Sequence, residues 1–243
     1  MKVIVIIPAA GLGTRMSSAG GAKRSKPSAT KQFAELAGVP VLVRTLQNFV
    51  SSSEISEIHV ALRASELASF RDRLQGDFPQ ILGKKPVLVE GGEHRQESVG
   101  NALAQISAAP DDLVLVHDAV RPFITHEIIH DVIKAAQQYG AAIVGIPAMD
   151  TVKQVDRTAE GAVIKATIPR QQIVLAQTPQ GFRYEILKNA FDEASADGFI
   201  GTDEASLVER AGHPVAVVMG TPRNIKITTP ADFELAEFYL KHP

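Results

Sequence analysis

The residues of this chain that could do chemistry are cations placed behind a glycine turn and carboxylates placed at the ends of apolar runs. Near the start, Gly11-Leu12-Gly13 is followed by Arg15 and then by Lys23, Arg24, Lys26 and Lys31. Glycine lets a backbone approach a ligand closely and accepts unusual dihedrals. Cations beyond such a cradle suit a triphosphate, whose charge must be neutralised before a nucleophile can approach. The loop is not the dinucleotide fingerprint, because Met16 occupies its third glycine position, and it has no Gly-Lys-Ser/Thr triplet. Taken alone, the stretch equally fits a turn followed by a solvated basic loop.

Four further constellations follow. His117-Asp118-Ala119-Val120-Arg121-Pro122 comes directly after an apolar run, so Asp118 and Arg121 are expected in one crevice. A carboxylate there can hold a ribose hydroxyl or a water of Mg²⁺; an ion pair stiffening the turn fits as well. Glu90-Gly91-Gly92-Glu93-His94-Arg95 precedes a helix start and is expected to expose backbone amides to a ligand. Ser98 lies one turn in, where it could equally be a surface serine. In Gly201-Thr202-Asp203-Glu204-Ala205-Ser206, Thr202 or Asp203 can cap a helix. Lys226, in Asn224-Ile225-Lys226, is expected on a short strand, a place where lysine is commonly a solvated edge charge.

His126-Glu127-Ile128-Ile129-His130 matches a zinc-protease pattern. It sits in the first turn after Thr125, Asp131 follows it, and no third ligand is signalled downstream, so no metal site is assigned to it. There is no Gly-x-Ser-x-Gly elbow and no cysteine nucleophile. The chemistry that remains is electrostatic.

These residues need elements to position them. Short apolar runs recur at Val3–Ile7, Ile58–Leu62, Val87–Val89, Leu113–His117, Ala141–Ile146 and Val215–Met219. Helical periodicity marks Val41–Val50, Ser65–Leu74, Arg95–Ile106, His126–Tyr139, Tyr184–Ala194, Asp203–Ala211 and Ala231–Leu240. The alternation predicts an α/β fold with a doubly wound, mostly parallel sheet. The loops after Ile7, Val89, His117 and Ile146 then converge at one edge. Thr125 caps one helix and Gly140 ends it; Thr229-Pro230 opens the last. Ser17–Thr30 reads as a mobile loop on the rim of the site. Pro147–Gln172, with alternating residues around Asp156-Arg157 and Glu160-Gly161, reads as a β-hairpin, an arm suited to gripping a second subunit. The whole of 1–243 is expected to be one domain with residues 147–172 inserted as that arm.

Composition limits the function classes. Of 243 residues, 45% are hydrophobic and 21% charged, and the net charge of -2 makes wholesale binding to nucleic acid or a membrane surface unexpected. The absence of cysteine excludes disulfides and thiolate chemistry and fits the cytoplasm. The N-terminal apolar run is cut short by Pro8, unlike a signal peptide, and no apolar run reaches transmembrane length.

Together, Pro8-Ala9-Ala10-Gly11-Leu12-Gly13-Thr14-Arg15-Met16, Lys31-Gln32-Phe33, Gly91 to Arg95, Val116 to Pro122, Gln177-Thr178-Pro179-Gln180, Thr202 to Ser206 and Asn224 to Lys226 resemble the 2-C-methyl-D-erythritol 4-phosphate cytidylyltransferase family. The resemblance implies a Rossmann-like nucleotidyltransferase sheet with a dimerisation arm. It implies that CTP and methylerythritol phosphate give CDP-methylerythritol and pyrophosphate, with Mg²⁺ bound mainly through the CTP phosphates. By the same resemblance, Arg15 and Lys31 stabilise transition-state charge. Ala9, Ala10, Gly11, Gly92 and Ser98 form the cytosine slot, and Pro8, Leu12, Gly13, Glu93 and Ala119 complete the nucleotide site. Asp118 lies beside ribose, metal and sugar. Arg121, Thr202 and Lys226 hold the sugar phosphate, and Thr151 and Arg170 reach it from the other subunit of a homodimer. Thr30 stands where the family has proline, after a longer loop, which leaves Lys23 and Lys26 as alternatives to Lys31. Ribitol-5-phosphate cytidylyltransferase shares the opening loop and the Asp-x-Val-Arg-Pro stretch, although Gln177–Phe182 and Thr202–Val208 look more like the erythritol enzyme. A catalytically silent nucleotide-binding homologue is the remaining alternative.

Overall fold

A strand in which every residue is apolar must be covered on both faces, and Val3–Pro8 (β1) is. Val3, Val5 and Ile7 face one core with residues of the helices Val41–Val50 (α1), Ala64–Gly76 (α2) and His126–Tyr139 (α4). Ile4 and Ile6 face a second core with residues of Arg95–Leu103 (α3), Tyr184–Asp197 (α5) and Glu204–Arg210 (α6). The period-2 alternation of one strand thus divides the helices into two layers. The computed structural model describes residues 1–11, 30–159 and 161–242. Leu12, Gly13, Arg15, Lys23 and Lys26, and the expected loop Ser17–Thr30 apart from Thr30 itself, lie outside the described residues.

Among the described residues the sheet has seven strands. Glu57–Leu62 (β4), Val87–Glu90 (β5), Leu113–Val116 (β6), Ala141–Pro147 (β7), Val174–Arg183 (β10) and Ala216–Met219 (β11) join β1 in the order β11-β7-β10-β6-β1-β4-β5. All pairings are parallel except those of β10, which runs antiparallel between β6 and β7. The expected doubly wound, mostly parallel sheet is therefore present. The strand β10 was not anticipated, and the reason is chemical. Gln177, Thr178, Pro179, Gln180 and Gly181 are polar or strand-breaking residues, and proline is normally excluded from a central strand. Here the register shifts between Gln177 and Gln180, around a cis Thr178–Pro179 bond, so that proline needs to supply no ladder donor.

Helix ends follow the local chemistry. Thr125 accepts from the Ile128 amide, Gly140 ends α4 in the left-handed region at φ 86°, and Thr229 caps Pro230–Lys241 (α7). Asp203 rather than Thr202 caps α6, accepting from the Ser206 amide at 3.0 Å. Two short strands, Glu35–Leu36 (β2) and Val39–Pro40 (β3), pair as a small hairpin. Leu36, Val120, Ile227 and Ala236 form a third core that seats α7. The strand expected at Lys226 does not form: residues 224–228 are irregular, and the Ile227 amide bonds the Val120 carbonyl at 2.9 Å.

The expected hairpin forms from Val152–Thr158 (β8) and Gly161–Ile168 (β9), which among the described residues pair only with each other. Thr158 pairs with Gly161 at its end, and Glu160 lies outside the described residues. Val163 and Ile164 are 64% and 60% exposed. Among the described residues, no helix is long and apolar enough to cross a membrane.

Candidate active site

The carboxyl ends of β1, β5 and β6 open on one edge, as parallel strand order requires. After β1, Ala9 and Ala10 are buried and Gly11 is exposed. Gln32 ties this loop to the 3-10 turn Lys31–Phe33: its Nε2 donates to the Ala9 carbonyl at 2.7 Å and to that of Gly11 at 3.3 Å. Phe33 packs against Phe70, with ring centroids 5.6 Å apart. The two residues after Lys31 are thus anchored, and Lys31 lines the same cavity as the loop. Thr30 has φ -60°, a value that proline also adopts, so its place in the family's proline position involves no change of backbone.

The loop after β5 comes within contact distance of the first loop. A Cβ added to Gly91 would lie 2.6 Å from Cβ of Ala10 and 2.9 Å from Oγ of Ser98, so only glycine permits the approach. Ser98 is buried rather than on the surface. Its hydroxyl accepts from the Gly92 amide at 3.1 Å and donates to the His94 carbonyl at 3.1 Å. The amide of Gly91 bonds the Leu62 carbonyl, and that of Glu93 bonds Glu97 Oε2 at 2.8 Å. The expectation that this loop offers free amides is therefore corrected. Its amides hold the loop in shape, and Gly92, Glu93, His94 and Arg95 line the cavity.

The loop after β6 has nearly every carbonyl bonded. The Arg121 amide takes that of Asp118, the Thr45 hydroxyl that of Ala119, the Ile227 amide that of Val120 and Asn48 Nδ2 that of Pro122. His117 Nε2–H donates to the Arg121 carbonyl at 3.0 Å, which leaves Nδ1 to accept from the Thr178 hydroxyl at 3.1 Å. Thr178 Oγ1 in turn accepts from the Asp118 amide at 3.0 Å. The unforeseen strand β10 is therefore what fixes Asp118. Burial pushes the His117 imidazole down to about 4, so it is neutral at pH 7, as this bonding pattern demands.

Asp118 is buried among cations. Its Oδ1 accepts from Arg95 Nε at 3.2 Å; its Oδ2 accepts from Arg121 Nε at 3.2 Å and Lys226 Nζ at 2.9 Å. Burial would raise the carboxyl, but Arg95, Lys226 and Arg121 outweigh it and hold Asp118 below the usual carboxylate range. Arg121 also donates to the Asn224 carbonyl at 2.6 Å, so it serves as the turn-stiffening ion pair as well as a wall of the crevice. Arg95 and Glu204 were not singled out from the sequence. Arg95 Nη1 lies 2.6 Å and 2.8 Å from the two oxygens of Glu204, which is 1% exposed. A buried carboxylate looks the same in sequence as a solvated one, and these two residues lie far apart in the chain. The only available signals were their places beside the glycine pair and the Thr-Asp cap.

Two cavities meet here. One, of about 240 Å³, is lined by Pro8 to Gly11, Lys31, Gly92, Glu93, Ser98, Asp118, Ala119 and Lys226, among others. The second, of about 200 Å³, is lined by Arg121, Gln177, Thr178, Gln180, Thr202 and Asp203. Arg95, Asp118 and Lys226 line both. A larger cavity of about 540 Å³ lies between α3 and α5, where Lys188 and Asp192 pair with each other; it has no comparable convergence of cations. Thr151 and Arg170 line neither joined cavity. Arg170 donates to the Met149 carbonyl at the base of the hairpin. His126 bonds Ser51 and the Asn48 carbonyl while His130 bonds Glu54, so the two histidines serve separate contacts.

Two adjoining cavities that share fixed cations suit a nucleotidyltransferase, an enzyme that brings two phosphorylated substrates together. The pattern of the 2-C-methyl-D-erythritol 4-phosphate cytidylyltransferase family matches residues 3–242, and the chain belongs to that family. The protein of that name from Acidobacterium capsulatum is 55% identical over 242 residues, covering 99% of this chain and 98% of its own. Among solved structures, the 4-diphosphocytidyl-2C-methyl-D-erythritol synthase of Anaerococcus prevotii superposes with TM-score 0.80 at 30% identity, covering 99% of each chain. The 2-C-methyl-D-erythritol 4-phosphate cytidylyltransferase of Francisella tularensis gives 0.79 at 35%, covering 98% of this chain and 99% of that one.

The neutral, buried His117 makes acid stability a readout of this site. Its folded pKa is depressed from 6.5 to about 4, so the stabilisation is present above 6.5 and is lost as pH falls toward 4. The full loss is of order 3 kcal/mol. His59, also depressed by burial, adds to the same window. Denaturant midpoints measured from pH 7 to pH 4 should fall, and His117→Gln, which offers one donor and one acceptor without titrating, should flatten the slope. An unchanged slope in that variant would remove His117 from the account.

Proposed function

We propose that CTP occupies the cavity built on the β1 and β5 loops and that 2-C-methyl-D-erythritol 4-phosphate occupies the cavity built on β10 and the start of α6. The observation that carries this reading is the wall common to both, made of Arg95, Asp118 and Lys226. The reaction is cytidylyl transfer from CTP in isoprenoid biosynthesis. A phosphate oxygen of the sugar bonds the α-phosphorus of CTP, the bond to the bridging oxygen breaks, and pyrophosphate leaves. The nucleophile is ionised at neutral pH, so no side chain has to remove a proton. Alignment and charge neutralisation are what remain for the protein to supply.

In this assignment Ala9, Ala10, Gly11, Gly92 and Ser98 enclose the base in a narrow slot, flanked by Pro8, Glu93 and Ala119. Lys31, with Arg15, neutralises the triphosphate and the charge that builds at the α-phosphorus. Lys226 spans the boundary and serves the incoming phosphate, with Thr202 and Arg121 on its far side. Asp118 is the carboxylate common to both cavities. One carboxylate suits Mg²⁺ held mainly by phosphate oxygens, which is how this ion usually binds nucleotides. When bound, the ion shares the neutralisation of phosphate charge.

The hairpin β8–β9 supports a homodimer with shared sites. A lone two-stranded sheet is marginal in water, and the exposed Val163 and Ile164 on this one need cover. Thr151 and Arg170, at its base, line neither cavity of their own chain, which suits residues that complete the site of a partner.

Incubation with CTP, Mg²⁺ and 2-C-methyl-D-erythritol 4-phosphate should release pyrophosphate, and no release above background would defeat the reading. Lys31→Ala should fold normally and lower turnover by about 10²- to 10³-fold, the scale of removing one transition-state donor. Near-parental turnover would transfer the role to Lys23 or Lys26. For the arm, mixing inactive Arg170→Ala and Lys226→Ala chains should restore part of the activity, because one mixed site in each dimer is intact. Proven mixed dimers without any rescue would rule out shared sites.

A further inference from the structure

Glu204 lines neither of the joined cavities, yet it is a fully buried carboxylate at their common wall. It opens α6 directly after Thr202 and Asp203, which line the second cavity. That corner is rigid: Gln180 donates to Asp203 at 2.7 Å and accepts from the Ala205 amide at 3.1 Å. Behind the wall, both Glu204 oxygens accept from Arg95 Nη1, while Arg95 Nε donates to a single oxygen of Asp118. The guanidinium is therefore held between two carboxylates that belong to different elements.

Fold stability alone does not account for this arrangement. Burying an ion pair gains little over a well-packed apolar pair of the same volume. A guanidinium without a second anchor closes on a neighbouring carboxylate through two parallel hydrogen bonds. Arg95 closing in that way on Asp118 would occupy the oxygen that now receives one bond, and would draw the guanidinium off the wall that both cavities share. Burial raises the Glu204 carboxyl and Arg95 beside it opposes that rise; in either protonation state Arg95, Arg121 and Lys226 outnumber the carboxylates they face, which leaves the wall net positive toward phosphates.

The geometry points to Glu204 as a positioning residue for the transfer reaction: it holds Arg95 so that Asp118 stays available to the ligands and the two phosphates meet a fixed cation. It acts through Arg95 and touches no substrate. This deepens the reading of the two cavities and rests on it.

The test is a double-mutant cycle in the full-length chain, with pyrophosphate release and thermal melting measured on every variant. Glu204→Gln should lower kcat by about 10²-fold while KM for CTP moves by about threefold or less, the pattern of misplaced rather than lost binding groups. In an Arg95→Gln background, adding Glu204→Gln should change kcat by about twofold or less, because the residue through which it acts is gone. A folded Glu204→Gln protein with kcat near that of the parent would overturn the assignment, as would the same fractional loss in both backgrounds. Should Glu204→Gln fail to fold, Arg95→Lys gives the second measurement. It keeps the charge but cannot span both carboxylates, so kcat should fall with KM for CTP nearly unchanged; parental kcat would overturn the proposal. A parent chain without turnover would defeat the reading of the reaction itself, whereas an active parent with parent-like variants would defeat only the role of Glu204.

Discussion

A carboxylate that is 6% exposed stays ionised only if cations surround it, and Asp118 has three within salt-bridge distance. Much of the molecule supplies that condition. Arg95 arrives at the start of α3, Arg121 from the same loop, and Lys226 from the irregular segment before α7. The central sheet brings these segments together because β1, β5 and β6 end on one edge. The antiparallel strand β10 then clamps the Asp118 loop through Thr178 and His117. The same buried charge lies, with Arg95 and Lys226, in the wall that both cavities share, so one constraint shapes both the fold of this edge and its chemistry.

The sheet was largely legible in the sequence because its strands are apolar on both faces and its helices are amphipathic. The bounds of α1 and α4 match the periodicity to the residue, and Thr125 and Gly140 close α4 as their types dictate. What escaped was polar. β10 buries Gln177, Thr178 and Gln180, and no hydrophobic pattern marks a strand whose inward residues are amides and hydroxyls. Arg95 and Glu204 escaped for a related reason: burial, not residue type, makes their pairing consequential. For Ser98 the sequence left a surface position open beside a place in the nucleotide site, and its hydroxyl proves to be buried, an internal tie between Gly92 and His94. The site residues the sequence did mark lie where backbone must approach ligand closely, as at Gly91, or where a short motif anchors its neighbour, as Gln32 does for Lys31.

The division of labour within the site follows from where rigidity comes from. The loops after β5 and β6 spend their own amides and carbonyls on internal bonds, so they cannot adapt much to a ligand. A preset surface of this kind suits a reaction in which proton transfer is unnecessary and alignment is the main contribution. The hairpin stands apart from this rigid edge, paired among the described residues only with itself. Residues at its base, Thr151 and Arg170, lie outside the two joined cavities.

The most direct test of the central claim is the turnover of Asp118→Asn at saturating CTP and 2-C-methyl-D-erythritol 4-phosphate, with melting measured alongside. The substitution keeps the shape of the side chain and removes the charge on which Arg95, Arg121 and Lys226 converge. The account predicts a folded protein whose kcat falls by about 10²-fold or more. A folded Asp118→Asn protein with parental kcat would contradict it.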